Sequence, residues 1–143
     1  MDKVSTFISL LRGSRLNVVC LLDTFRDAKG KAKLDDLIEN KLISDKKIKF
    51  FSDFLPNYTT ADIEDLFTKS DYLKLFNEAF PEKVIKLEEL NEKIKPILIQ
   101  IKDPFNHYRP ANRLAAKGAD VKYFEKETLD NFEKVFDEVN RLF

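Results

Sequence analysis

Tryptophan is absent from this 143-residue chain, and cysteine and histidine each occur once. A single cysteine excludes an internal disulfide framework and a cysteine zinc site within one chain, and it fits a reducing, intracellular setting. Neither sign of charge is in excess, because 25 basic residues stand against 25 acidic ones. A net charge of zero imposes no nucleic-acid or membrane partner, although a local basic patch or bound metal ions would still admit DNA. Long apolar runs are missing as well. Residues 1–15, MDKVSTFISLLRGSR, hold only a short interrupted apolar stretch between charges. That is neither a signal peptide nor a spanning helix, so the chain reads as cytoplasmic with no membrane partner. No internal repeat, glycine-rich phosphate loop, nucleophile elbow or zinc-protease helix is found, which removes the common catalytic motifs. What remains is a chain with 43% hydrophobic residues and 13 phenylalanines, a globular composition of one domain's length.

The most informative stretch is residues 16–30, LNVVCLLDTFRDAKG. The run from Val18 to Leu22 predicts a buried parallel strand, over 17–22, that delivers Asp23 to its carboxyl end. In an open α/β sheet ligands bind beyond those ends, so Asp23 is a candidate ligand for a metal or phosphate-bearing group. The competing reading makes it a capping residue of the turn. The strand sits between two amphipathic segments. Val4, Phe7, Ile8 and Leu11 predict a helix over 2–11 stopped by Gly13, while Leu34, Leu37, Ile38 and Leu42 predict one over about 31–40. KKIKFF at 46–51 predicts a second strand, completing a βαβ unit.

Beyond it, Thr59 or Thr60 is placed to cap a helix starting near Ala61 whose first turn carries Asp62, Glu64 and Asp65. Such acids suit the helix dipole, and they also suit a metal. Ser70 is expected to cap the next helix, which Pro81 ends. Residues 82–102 read as two helices, the second opened by Pro96 at its first position. DPFNHYRPANR at 103–113 gathers the only histidine with two arginines, and Pro110 opens a short helix to Lys117 that Gly118 closes. A last helix, over about 126–142, carries the stripe Leu129, Phe132, Val135, Phe136, Val139 and Leu142. The expected architecture is therefore α/β: a short parallel sheet flanked by helices, with residues 1–80 as its core and 81–143 as a helical extension packed on it.

Asp23, the acids at 62–65, and His107 with Arg109 form a constellation that would suit phosphodiester hydrolysis. Carboxylates from adjacent βα loops can chelate Mg²⁺ or Mn²⁺, and a guanidinium can clamp a phosphate. His107 is either a proton-handling group or a satisfied structural histidine.

The segments ISLL, VVCLLD, AKGKAKL, ADIEDLF, SDYLKLFNEAF, HYRPA and ETLDNFEKVF, in that order, resemble the C-terminal TOPRIM-containing region of OLD-family ATP-dependent endonucleases. The resemblance implies a TOPRIM-like sheet holding Mg²⁺ or Mn²⁺, DNA as substrate, and an ABC-type ATPase domain in the full-length or a partner protein. It makes Asp23 the first acid of the family's DxD pair and Glu64, with Asp62 or Asp65, part of the later acidic motif. Arg109 takes the place of the basic residue near the scissile phosphate.

The sequence departs from that pattern in three respects. Phe25 stands where the second acid of DxD belongs, with Asp27 as the nearby acid that can stand in. The family's first strand and its glutamate precede the first helix, where this chain begins, and the ATPase domain is missing. These departures imply a nuclease fragment that is incompetent alone. The alternative is a non-catalytic interaction or scaffold domain, in which an exposed apolar strip left by the missing strand is hidden in a homodimer.

Overall fold

A computed structural model describes residues 6–8, 10–11, 16–24, 28–101, 105–117 and 120–143. Phe25, Asp27, Gly13 and Gly118, to which the sequence assigns roles, lie outside the described residues.

The sheet is small. Strand β1, Cys20–Leu22, pairs in parallel with β2, Ile48–Phe50, in the register Cys20 to Ile48, Leu21 to Lys49 and Leu22 to Phe50. Helix α1, Ala28–Glu39, connects them, so the expected βαβ unit is present with strands shorter than the apolar runs that announce them. β2 is short for a visible reason. The Asp53 carboxylate accepts the Phe50 amide at 2.9 Å and turns the chain into a 3-10 turn, Phe51–Phe54. β1 lies half-buried along its whole length instead of fully buried, because β2 is its one neighbour among the described strands. The Cys20 thiol is accordingly half-buried, and burial raises its pKa. Leu34 and Leu37 of α1 pack with Ile8, Ile43 and Ile48 in a core that joins the helical residues near the N-terminus to the sheet.

α1 ends in a C-terminal cap of the Schellman kind. The Leu42 amide donates to the Leu37 carbonyl and that of Lys41 to the Ile38 carbonyl, both at 2.9 Å. The turn requires a left-handed residue, and Lys41 supplies it with φ of 54°.

The remainder of the chain is mostly helical: α2, Lys69–Ala79; α3, Ile97–Gln100; α4, Tyr108–Ala116; and α5, Lys126–Arg141. The molecule is thus mixed α/β, with helix predominating over a two-stranded parallel sheet. A second core gathers Tyr72, Leu73, Phe76 and Phe80 of α2 and its end with Ile97 and Ile101. A third places Val135 of α5 against Phe51, Leu55, Ala61 and Leu66, which anchors the last helix next to the end of β2. Among the described residues no helix is long and apolar enough to cross a membrane.

Several local expectations need correction. No α-helix starts near Ala61: a 3-10 turn, Ile63–Leu66, forms there, because Asp65 turns back to accept the Asp62 amide at 2.9 Å. Thr68, not Ser70, caps α2, accepting the Asp71 amide at 3.2 Å. The first of the two helices expected in 82–102 is absent, leaving a 3-10 turn at Leu87–Glu89, and Pro96 precedes α3 as its N-cap. Side chains from elsewhere satisfy that stretch. Asn77 both donates to the Ile85 carbonyl and accepts its amide, and Lys69 donates to the carbonyls of Asn91 and Ile94. A backbone already paired in this way has no need of helical hydrogen bonds. Tyr108, not Pro110, opens α4, with Pro110 tolerated in the first turn.

On α5 the fully buried positions are Thr128, Asn131 and Val135, whereas Phe136, expected on the apolar stripe, is 61% exposed. Two of these three buried positions are polar because they pair with the neighbouring backbone and with Asp71. Asn131 donates to the Leu66 carbonyl at 3.1 Å, and Thr128 accepts the Thr68 amide at 2.9 Å while donating to Asp71 at 2.7 Å.

Candidate functional site

β1 ends at Leu22, so Asp23 stands exposed at the carboxyl edge of the sheet, where the apolar run of the sequence placed it. Its neighbour fixes what lies beside it. The Thr24 amide donates to the Ala61 carbonyl at 2.9 Å, the Ala61 amide returns a bond to Thr24 Oγ1 at 3.2 Å, and the Thr24 hydroxyl donates to Ser52 Oγ at 2.8 Å. This reciprocal tie lays the backbone that follows Asp23 against the backbone that precedes Asp62. Asp23 and Asp62, 39 positions apart in sequence, are thereby brought to one sheet edge. Thr24 and Ser52 carry that tie and were not singled out in the sequence, where a threonine and a serine in turns have no distinguishing pattern.

The acids of the 62–65 segment then divide by environment. Asp65 is 3% exposed, and both its oxygens are occupied by backbone amides: that of Asp62 at 2.9 Å and that of Ile97 at 2.8 Å. Burial pushes its pKa up to about 6, against the pull of those two amides and helped by the charges of Asp62 and Glu64. Asp65 is a tie between the turn and the start of α3. Glu64, whose side chain is 14% exposed, points elsewhere: its Oε1 lies 2.7 Å from Nδ1 of His107. A carboxylate accepts only, so Nδ1 carries the shared proton and Nε2 is the ring's outer nitrogen. The sequence offered no acid next to the lone histidine; its partner lies 43 residues earlier in the chain.

Asn106 holds the histidine turn, its Oδ1 accepting the Tyr108 amide at 2.9 Å. The imidazole stacks on Phe105 with centroids 4.5 Å apart, and Phe105 meets Phe80 edge-on at 5.6 Å. Arg109 lies over the far ring, 4.1 Å from the Phe80 centroid, and reaches Glu82 at 3.4 Å. His107 and Arg109 are therefore held at opposite ends of the Phe80–Phe105 pair. Together they form a ladder that runs carboxylate, imidazole, two rings and guanidinium.

No family model, curated protein or solved structure matches this chain.

The donor chemistry at the sheet edge, carboxylate oxygens alone, is that of a site for Mg²⁺ or Mn²⁺, which take hard oxygen ligands. Its geometry is incomplete. Among the described residues no three His, Cys, Asp or Glu side chains converge on a common point. Asp65 has no oxygen to spare, and Glu64 already shares one with His107. The described residues alone do not fit a resident divalent ion.

Proposed function

We propose that this chain is part of a TOPRIM-like nuclease module that acts on nucleic-acid phosphodiesters, of the kind found in OLD-family endonucleases, and that it is incompetent alone. The observation that supports it best is the placement of Asp23 at the carboxyl end of a parallel strand, joined through the Thr24–Ala61 tie to the segment that carries Asp62 and Glu64. A sheet edge of that kind is where α/β folds present ligands. The Glu64–His107 pair adds an imidazole whose ring is oriented by a carboxylate. On this reading Asp23 and Glu64 contribute to a Mg²⁺ or Mn²⁺ site that other residues complete. DNA is the substrate, an ABC-type ATPase domain is the partner, and the setting is cytoplasmic.

Calorimetric titration with Mn²⁺, on this chain and on a folded Asp23→Ala, Glu64→Ala double variant, tests the reading. Weak saturable binding that the double variant loses, with no DNA cleavage by the chain alone, is the expected outcome. Equal heats from both proteins, or no binding to the folded wild type, overturn it.

A second reading, an interaction domain, is favoured by one observation. Phe7, Leu10 and Leu16, around the start of the sheet, are 61%, 65% and 55% exposed. These three lie within ten residues of one another in the chain, and a concentration-dependent homodimer in sedimentation that a Phe7→Ser, Leu10→Ser variant loses would support that reading.

A further inference from the structure

A groove of about 640 Å³ opens between the turn at Pro56–Asn57, the start of α2 and the first half of α5. Among the described residues neither Asp23, Glu64 nor His107 lines it, so it is separate from the acidic edge. Its apolar wall comes from Leu55, Tyr58 and Phe67, and four lysines, Lys69, Lys95, Lys126 and Lys134, face it. These ammonium groups are not equivalent. Lys126 is paired with Asp130 at 2.5 Å, and Lys69 is spent on the carbonyls of Asn91 and Ile94. Lys95 and Lys134 are exposed, and no carboxylate among the described residues pairs with either. Burial and the adjacent Lys95 charge hold the Lys69 pKa below its ordinary value. Of the acids on the lining, Asp65 is taken by two amides and Asp130 by Lys126, which leaves Glu127.

Like charges held together beside an apolar wall repel one another, and an anion placed between them relieves that repulsion. The volume is that of a small-molecule site, and its lining holds aromatic and charged side chains. We propose that this groove is a phosphoryl-binding site, in which Lys95 and Lys134 meet the oxyanion and Tyr58 and Phe67 flank the group attached to it. The phosphoryl group belongs either to a free phosphate ester or to the backbone of a nucleic-acid strand.

The test is calorimetric titration with inorganic pyrophosphate and, separately, with a short single-stranded oligonucleotide, at low and at moderate salt. The proteins are the wild type, Lys95→Glu with Lys134→Glu, and a control of equal charge change at the exposed Lys31 and Lys46, Lys31→Glu with Lys46→Glu. Saturable binding that weakens with salt, and that drops about tenfold or more in the groove variant but not in the control, is expected. Pyrophosphate binding without oligonucleotide binding assigns a free phosphate ester, and tighter oligonucleotide binding assigns a strand; both sustain the site. Absence of saturable binding by either probe, or an equal loss in groove variant and control, overturns it. Mn²⁺ binding at Asp23 and Glu64 is read independently of these lysines, so the two proposals fail separately.

Discussion

Replacing Asp65 with asparagine separates a structural carboxylate from a ligand. In the folded chain the group is 3% exposed and its pKa stands at about 6, against an ordinary value of 3.8. An acid whose pKa is raised by folding binds its proton more tightly folded than unfolded. Its contribution is therefore most favourable at low pH and is lost as pH rises from about 4 through about 6. The gap between the two values corresponds to a change of about 3 kcal/mol across that window. Asp65→Asn abolishes this titration while keeping one acceptor for the amides of Asp62 and Ile97. Urea unfolding followed by far-UV circular dichroism at pH 4 and pH 7 gives the stability of each protein. Subtracting the variant from the wild type cancels every other titrating group. The difference is expected to fall by about 2 kcal/mol between the two pH values, because pH 4 already lies just above the unfolded pKa. A difference that stays constant, or grows with pH, refutes the account of Asp65 as a buried tie. Asp65→Ala, which leaves both amides without an acceptor, is expected to cost about 2–4 kcal/mol at pH 7.

Asp71 titrates in the opposite sense. Burial alone would raise its pKa, but the Lys74 ammonium, the Thr128 hydroxyl and the Glu125 amide, all within 2.8 Å, outweigh burial and hold it below its ordinary value. Its contribution is present above the unfolded pKa of about 4 and is lost as pH falls through the depressed folded value. Asp71→Asn is expected to cost about 2–4 kcal/mol at neutral pH and progressively less in acid, read from thermal unfolding between pH 3 and pH 7. Lys41, at φ of 54°, sits where glycine has no steric penalty. Lys41→Gly is expected to stabilise the chain by about 0.5–1 kcal/mol, seen as a higher melting temperature; a lower one would show that the side chain contributes more than the backbone conformation costs.

How much of the site was legible follows from the range of the interactions. Asp23 at a strand end could be read directly, since a run of β-branched and aliphatic residues halted by an acid is a local signal. The acids at 62–65 were visible as a group, but their different fates were not. Asp65 is buried by residues 32 positions later, and Glu64 meets a histidine 43 positions later, distances at which one sequence carries no pairing information. Thr128 and Asn131 illustrate the same point from the other side. Helical spacing puts an apolar stripe on α5, yet the seam that is buried includes two polar residues, because the facing surface offers a backbone amide, a backbone carbonyl and a carboxylate.

Periodicity and turn chemistry in the sequence determined the strand–helix–strand unit, the position of Asp23, α2 up to Pro81 and the last helix. These depend on contacts within a few residues and on which face must leave water. Tertiary structure alone decided that β1 stays half-buried beside a single neighbour, that 82–96 is held by Asn77 and Lys69 side chains instead of coiling, and that His107 acquires Glu64 while Arg109 goes to Phe80. It also gathered Lys95 and Lys134 around one groove. The physical reason is common to all of these. A buried or converging polar group is defined by the partner that satisfies it, and that partner is chosen by the packing of distant segments.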